Sequence, residues 1–331
     1  MLARLRRSVQ VHPIALDNEE FEGNNDAYLL DAGGETALVD TGVATPAVRE
    51  QLEAGLAERG HDFESIDAVI LTHWHADHAG LAGTIQRAGG ARVVVHEADA
   101  PMVRRDADAR AALRERHETI FEEWGMPTEK RAGLREMLES DALVDPPETV
   151  ETIADGDEIS VGDRTLRAVH APGHTAGLTC FEFETDAGRE AFVGDAILPE
   201  YTPNVGGADL RVDRPLERYL ASLRRIVDRD YERAWPGHRN VIEAPSERAR
   251  AIVEHHRERT ERVVDVLDAH GPADAWTVSA RLFGELEGIH VLHGPGEAYA
   301  HLDHLRRHGV VEHTADGYRL ADEPPAIDSI V

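Results

Sequence analysis

Cysteine and lysine are almost missing from this 331-residue sequence, which has one of each, Cys180 and Lys130. A single cysteine cannot form a disulfide within the chain, so a disulfide-stapled scaffold is excluded. Cys180 lies in the apolar run 178–183, and we predict a buried strand thiol rather than a reactive one.

Positive charge is scarce as well. The chain has 35 Lys and Arg residues against 63 Asp and Glu residues, a formal net charge of −28. Attraction to a polyanion at low salt is therefore disfavoured. Acidity combined with so little lysine resembles the proteins of salt-in halophiles, whose acidic surfaces stay hydrated in concentrated salt; a GC-rich, acidic mesophile is the alternative source.

Long apolar runs are also lacking. No stretch approaches the 18 or so consecutive apolar residues that a membrane-spanning helix requires. Residues 8–13, which follow Arg4, Arg6 and Arg7, are too polar for the apolar region of a signal peptide. We therefore expect a cytoplasmic protein that does not contact a membrane.

Histidine, in contrast, is concentrated. The heptapeptide THWHADH at 72–78 follows an apolar run that has the character of a buried strand. Residues of an extended strand alternate faces, so His73 and His75 can bind one ion, while Asp77 and His78 can serve a second. Four such groups would be costly to bury unpaired. Imidazole and carboxylate ligands suit zinc, with iron or manganese as further possibilities.

Three later motifs can complete a set of ligands for two metals. His174 lies in APGHT, Asp195 in FVGD and His238 in WPGH. The glycines allow the backbone to approach a crowded site closely, and the prolines stiffen it. Taken alone, each of these residues is equally well explained as an ordinary surface or hydrogen-bonded side chain.

The order of these motifs, together with VDTG at 39–42, resembles the metallo-β-lactamase superfamily over about residues 9–245. The resemblance implies an α/β fold, the αββα sandwich. It also implies a ligand set: His73, His75 and His174 for one metal, Asp77, His78 and His238 for the other, Asp195 as the bridge, and Asp40 as a support behind the metal loop. His170 has no ligand role in this pattern.

The function implied is that of a two-zinc hydrolase, with Asp77 and Asp195 as its catalytic carboxylates. A metal-bridging hydroxide would attack an ester, a thioester or a phosphodiester. The motif spacing resembles hydroxyacylglutathione hydrolases, which cleave small-molecule thioesters. Two alternatives stay open: a single-strand RNA endoribonuclease of the lactamase-beta-2 type, and a mononuclear iron persulfide dioxygenase.

The length of the chain and the change in sequence character after Pro245 predict a catalytic domain, 1–245, and a smaller domain, 246–331. A charged insertion at about 97–147 predicts two or three helices. Its Phe121, Trp124 and Met126 either contact substrate or pack the insertion onto the body. The loop 199–215 is the other candidate cleft wall.

The last 86 residues predict helices at 246–270, 276–286 and 297–308, followed by a strand hairpin at 310–320. This pattern resembles the winged-helix domain of lactamase-beta-2-like proteins. Residues 256–331 contain 14 acidic and 7 basic residues, a net charge of −7. Duplex DNA is therefore a poor ligand, and we expect a packing element or the contact of a homodimer.

Overall fold

Two β-sheets form the centre of the computed structural model, which describes residues 10–18, 23–139 and 142–326. Arg4, Arg6 and Arg7 lie outside the described residues. The first sheet has six strands in sequential order: β1 (Gln10–Leu16), β2 (Asn25–Ala32), β3 (Glu35–Val39), β4 (Ala68–Ile70), β5 (Arg92–His96) and β6 (Glu151–Ile153). The first three strands are antiparallel, and β3 to β6 are parallel.

Helices cover the outer face of this sheet. They are α1 (Pro46–Ala57), a 3-10 helix (Phe63–Ser65), α2 (Ala76–Ala79) and α3 (Ala82–Gly89). Thr45 caps α1 by accepting a hydrogen bond from the Val48 N–H, and Pro46 occupies the first turn. Strand β4 is buried along its whole length, as a parallel strand between helices and a second sheet must be.

The second sheet has five strands in the order β11-β10-β9-β8-β7. They are β7 (Glu158–Val161), β8 (Arg164–His170), β9 (Thr179–Glu184), β10 (Arg189–Gly194) and β11 (Arg233–Pro236). Strands β10 and β11 are parallel and are joined through α7 (Pro215–Arg229); the other pairs are antiparallel.

The inner faces of the two sheets share one apolar core. Leu30, Val39 and Ile70 of the first sheet lie in the same buried cluster as Phe181 and Phe192 of the second. Separate cores join each sheet to its own outer helices. The structure is thus the four-layer αββα sandwich that the sequence predicted. Cys180 is buried in β9, as expected.

The insertion between β5 and β6 contains three helices, α4 (Ala100–Val103), α5 (Ala107–Glu123) and α6 (Thr128–Glu139). Asp106 caps α5 through hydrogen bonds from the N–H groups of Asp108 (3.1 Å) and Ala109 (2.9 Å). Trp124 and Met126 are buried in a core shared with the end of the chain.

The C-terminal segment, residues 245–326, contains α8 (Pro245–His270), α9 (Ala275–Phe283), α10 (His290–Arg307) and the hairpin β12 (Val311–Thr314) with β13 (Gly317–Leu320). Helix α8 packs on the second sheet through Ala249 and Ile252, and on the insertion core through Val263 and Leu267. Helix α8 therefore contributes to both the core of the second sheet and the insertion core. The domain boundary at 245 and the winged-helix assignment stay predictions.

Helix α10 begins at His290, seven residues before its predicted start at 297, and so includes the Gly294-Pro295-Gly296 run, whose residues have low helix propensity. The run is buried, and packing outweighs its poor helix propensity. Among the described residues, no helix combines the length and apolarity that crossing a bilayer requires.

Candidate metal centre

The ends of four strands and one loop deliver all eight predicted site residues to one edge of the sandwich. Asp40 follows β3, the 72–78 loop follows β4, Asp195 follows β10 and His238 comes two residues after β11. His174 lies in the loop between β8 and β9. The parallel strands place their carboxyl ends at the same sheet edge, so residues far apart in sequence become neighbours.

Three histidines converge in the first cluster. Nε2 of His73 lies 3.0 Å from Nδ1 of His75, which lies 3.0 Å from Nε2 of His174. Such a group could hold a metal ion.

In each ring, the hydrogen bond made by the nitrogen that faces away from the cluster determines which of the two nitrogens bears the proton. Nε2 of His75 donates to the Ala208 carbonyl (3.0 Å), and Nδ1 of His174 donates to the Asn204 carbonyl (2.9 Å). The Thr72 hydroxyl gives its hydrogen to Asp40, so it accepts from Nδ1 of His73 at 3.1 Å. In the neutral rings the three inward nitrogens are therefore bare lone pairs, which repel one another unless a cation lies between them.

Burial and neighbouring imidazoles keep these rings neutral. Burial lowers the pKa of His73 well below its ordinary value, and His78 and His75 lower it further. Burial and His174 lower the pKa of His75 to about 4. Burial also outweighs the nearby Asp195 and lowers the pKa of His174. Neutral imidazole is the form that binds a metal.

The second cluster contains one carboxylate, that of Asp77, and two histidines. Oδ2 of Asp77 lies 3.4 Å from Nε2 of His238 and 3.8 Å from Nε2 of His78. Although burial lowers the pKa of His238, Asp195 and Asp77 outweigh it and raise that pKa to about 9. Asp77, His78 and His238 could also hold a metal ion.

Asp195 lies between the clusters. Its Oδ2 is 3.6 Å from Nε2 of His174 and 3.5 Å from Nε2 of His238, and its Oδ1 is 3.5 Å from Nε2 of His78. Oδ1 of Asp195 and Nε2 of His78 are buried without a hydrogen-bond partner. Burial raises the pKa of Asp195, but His238 and His78 hold it well below its ordinary value. An ionised carboxylate with one unpartnered oxygen, beside bare imidazole nitrogens, fits a cation.

Two backbone features keep the site compact. A Cβ atom at Gly237 would lie 2.3 Å from Cε1 of His78 and 2.5 Å from Oδ1 of Asp195, so a side chain there would invade the cluster. Asp40 adopts a left-handed φ of 58°. Its carboxylate accepts hydrogen bonds from Thr72 N (2.8 Å), Thr72 Oγ1 (2.7 Å) and His78 Nδ1 (2.8 Å), and so holds the metal loop at both ends.

Several neighbours escaped sequence reasoning. Nδ2 of Asn25 and Nδ2 of Asn18 lie 3.3 and 3.4 Å from Oδ2 of Asp77. Oδ2 of Asp209 accepts from Trp74 Nε1 at 3.3 Å. No motif marks these residues, because they reach the site from separate parts of the chain. His170 is in neither cluster. Its ring stacks on that of His96, with the ring centroids 4.0 Å apart.

A cavity of about 570 Å³ opens beside the clusters. His75, Asp77, Asp195 and other site residues line its floor, and apolar side chains of the insertion and C-terminal segment line its wall: Met102, Leu113, Phe121, Leu138, Ile289 and Leu292. Of the three insertion residues expected either to contact substrate or to pack the insertion onto the body, Phe121 lines the cavity, whereas Trp124 and Met126 pack between the insertion and the C-terminal segment. Pro203 and Asn204 of the 199–215 loop form another side, as predicted.

Comparison with known proteins places this geometry in a family. The profile of the metallo-beta-lactamase superfamily matches residues 21–238. A crystal structure of a metallo-beta-lactamase family protein from Thermus thermophilus superposes with a TM-score of 0.77 and 32% identity, covering 96% of this chain and 99% of that chain.

Curated relatives agree. The Beta-lactamase-like protein 2 homolog of Caenorhabditis elegans is 27% identical over 291 residues, 88% of this chain and 81% of that protein. An atrochrysone carboxyl ACP thioesterase of Aspergillus fumigatus is 28% identical over 280 residues, 81% of this chain and 70% of that protein. The chain belongs to the metallo-beta-lactamase superfamily and is a metal-dependent hydrolase.

Proposed function

We propose that the protein hydrolyses small-molecule acyl esters or thioesters with two bound zinc ions. The observation that carries this proposal is the convergence of three bare imidazole nitrogens: Nδ1 of His75 lies 3.0 Å from Nε2 of His73 and 3.0 Å from Nε2 of His174. A second cluster of potential ligands lies beside the first, and Asp195 is close to both clusters. Iron or manganese could bind the same nitrogen and oxygen ligands, but nitrogen-rich sets of this kind suit zinc.

The ligand assignment follows the two clusters. His73, His75 and His174 would hold one metal, and Asp77, His78 and His238 the other. Asp195 would bridge the two, since its Oδ2 lies near His174 of the first cluster and near His238 of the second. Asp40 would act from behind, by fixing Nδ1 of His78. A complete second cluster is the reason to favour two metals over a single iron.

When bound, the metals would lower the pKa of water so that hydroxide is available at neutral pH. The protein's own contribution is orientation. Asp77 and Asp195 both line the cavity, so either carboxylate can accept the proton that the attacking water loses. The apolar wall of the cavity would exclude bulk water and hold the acyl portion of the substrate.

The substrate class rests on the cavity and on the relatives. Met102, Phe121 and Leu292 give the wall an apolar surface suited to an acyl group. A relative is named as a thioesterase acting on an acyl carrier protein. RNA fits less well, since the chain has a net charge of −28 and a polyanion would be repelled.

Duplex DNA is disfavoured for a further reason. Arg306 and Arg307, an adjacent cationic pair of the C-terminal segment, both bind Asp303, at 2.8 and 2.7 Å. Both arginines are thus paired with a carboxylate of the protein, whereas contacts to DNA phosphates require cations that are available to bind them. Cytoplasmic placement and a homodimer stay predictions.

The test combines metal analysis with a substrate panel at high salt. We expect about two zinc ions per chain and turnover of an acyl thioester in preference to a bis-aryl phosphodiester or single-stranded RNA. His174→Ala should lose both metal and turnover, and His170→Ala, outside the clusters, is the matched control. One iron per chain with no second metal would instead favour the persulfide dioxygenase.

A further inference from the structure

The loop 203–209 holds two of the three histidines in the first cluster. Its Asn204 carbonyl accepts the Nδ1 hydrogen of His174, and its Ala208 carbonyl accepts the Nε2 hydrogen of His75. The direction in which each ring presents its other nitrogen therefore depends on where this loop lies. Anything that fixes the loop also fixes the two nitrogens.

Helix α10 holds the loop through polar contacts. Oε2 of Glu297 accepts from Val205 N at 3.2 Å and from Asn204 Nδ2 at 3.4 Å. Asn204 Nδ2 also donates to the His293 carbonyl at 3.0 Å, and Asn204 Oδ1 accepts from Gly207 N at 3.1 Å. Glu297 is thus joined to His174 through one residue, Asn204, which contacts both.

Backbone packing makes the contact rigid. A Cβ atom at Gly296 would lie 2.3 Å from Cα of Gly207, and one at Gly206 would lie 2.4 Å from the Gly296 carbonyl oxygen. Helix and loop therefore touch backbone to backbone, with no room for a side chain between them. This close approach explains why residue 296 is a glycine.

The charge of Glu297 is balanced from the side away from the loop. Its Oε1 lies 3.3 Å from Nη1 of Arg259, and the residue is 5% exposed. His256 and His301 lie nearby, with Nδ1 of His256 at 3.3 Å from Nε2 of His301. This trio could in principle hold a metal. Yet Arg259 already neutralises the carboxylate, and the two imidazoles can hydrogen-bond to each other.

We propose that Glu297 is a positioning residue for the metal centre, acting through Asn204 and the loop 203–209 on His174 and His75. The C-terminal segment would then be part of the hydrolase site although it supplies no metal ligand. The inference rests on the ligand assignment of the proposed function. Loss of Glu297 should loosen the loop, broaden the orientations of both rings and weaken the metal that they hold.

The experiment uses the full-length protein and three variants of α10. Glu297→Ala removes the acceptor, and Glu297→Gln retains one oxygen that can accept from the Val205 N–H. Asp303→Asn is the matched control, because Asp303 is also a buried carboxylate of α10 paired with arginines but contacts Arg306 and Arg307 rather than the loop. Zinc affinity is measured by competition with a chromophoric chelator, alongside the visible spectrum of the cobalt-loaded protein and the melting temperature without metal.

We expect Glu297→Ala to weaken zinc binding by about 10- to 100-fold, the usual effect of removing an outer partner of a ligand. Its cobalt spectrum should shift, and Glu297→Gln should recover most of the affinity. Asp303→Asn should lower the melting temperature with affinity and spectrum unchanged. The double variant of Glu297→Ala with Asn204→Ala should lose less affinity than the two single losses combined, because both act through one loop.

Two results would overturn the inference. The first is wild-type zinc affinity and spectrum in Glu297→Ala with only a lower melting temperature, as in the control. The second is a third zinc in the wild-type protein that Glu297→Ala loses, which would make the trio a metal site. Failure of the proposed function has a different signature: His174→Ala would then leave zinc content unchanged, whatever Glu297→Ala does.

Discussion

Two buried histidines in different parts of the molecule are held by a threonine in the same way. The Thr72 hydroxyl accepts from Nδ1 of His73 at 3.1 Å, and the Thr260 hydroxyl accepts from Nδ1 of His301 at 2.9 Å. Each threonine gives its own hydrogen onward, Thr72 to Asp40 and Thr260 to the His256 carbonyl. In both places Nε2 of the ring is left as a bare lone pair.

What faces that lone pair differs. Nε2 of His73 faces His75, whose ring presents another bare nitrogen, and Asp195, whose Oδ1 has no hydrogen-bond partner, lies close by. Nε2 of His301 faces His256, which can donate to it, and the nearby Glu297 is neutralised by Arg259. Holding a histidine in one tautomer is therefore common to structural and metal-binding sites. Converging lone pairs, and a carboxylate paired with histidines rather than with an arginine, distinguish the second kind.

The most severe test of the comparison is His73→Ala. It removes one of three ligands of a proposed catalytic metal, so hydrolysis should fall by more than about 100-fold, beyond the usual cost of losing an outer partner. Circular dichroism should show a retained fold. Activity above about a tenth of wild type with full metal content would contradict the assignment.

Asp195→Asn should have the next largest effect. A neutral amide bridges two cations poorly, so the occupancy of one metal and the rate should fall together, by about 10- to 100-fold in rate. Metal analysis after equilibrium dialysis measures the occupancy. Two metals bound as tightly as in the wild type would show that Asp195 is not the bridge.

A matched pair of variants, Thr72→Val and Thr260→Val, tests the comparison itself. Each leaves a buried imidazole N–H without its acceptor, which should destabilise the fold by about 1–3 kcal/mol in both cases. Only Thr72→Val should also weaken zinc binding, since only His73 is a proposed ligand. Equal zinc affinities in the two variants would remove the distinction drawn between the clusters.

Salt should have the smallest effect and should separate surface charge from the buried clusters. At a net charge of −28, self-repulsion destabilises the folded chain, and molar salt shortens the Debye length to about 3 Å. The melting temperature should rise between about 0.1 and 2 M KCl, by about 2–4 °C for each kcal/mol gained. A flat or falling curve would argue against halophile-like adaptation.

Much of the fold could be predicted from hydrophobic periodicity and from the positions of turn-forming residues. The buried run before the 72–78 loop became β4, and the insertion became three helices. The start of α10 was wrong, because local propensity at Gly294-Pro295-Gly296 argued for a break whereas packing against the loop 203–209 favours the helix. The predicted ligands all lie close together in the structure, because their motifs follow strands or connect strands at one edge of the sandwich.

The partners behind the ligands could not be predicted. Asn204, Ala208 and Glu297 act through backbone carbonyls or across 93 residues of sequence, and nothing in the local sequence distinguishes them from ordinary loop and helix residues. Asn18, two residues after β1, and Asn25, the first residue of β2, likewise contact Asp77 across more than 50 residues of sequence. Contacts of this kind arise only once distant elements have packed.

Local sequence was enough to establish which groups could bind metal and how strands and helices alternate, because ligand chemistry and hydrophobic periodicity are local properties. Packing was needed to establish which nitrogen of each histidine is bare, which carboxylates are paired with histidines rather than arginines, and how the C-terminal segment reaches the site. Those properties depend on distances between groups that only the packed chain brings within about 3 Å of each other.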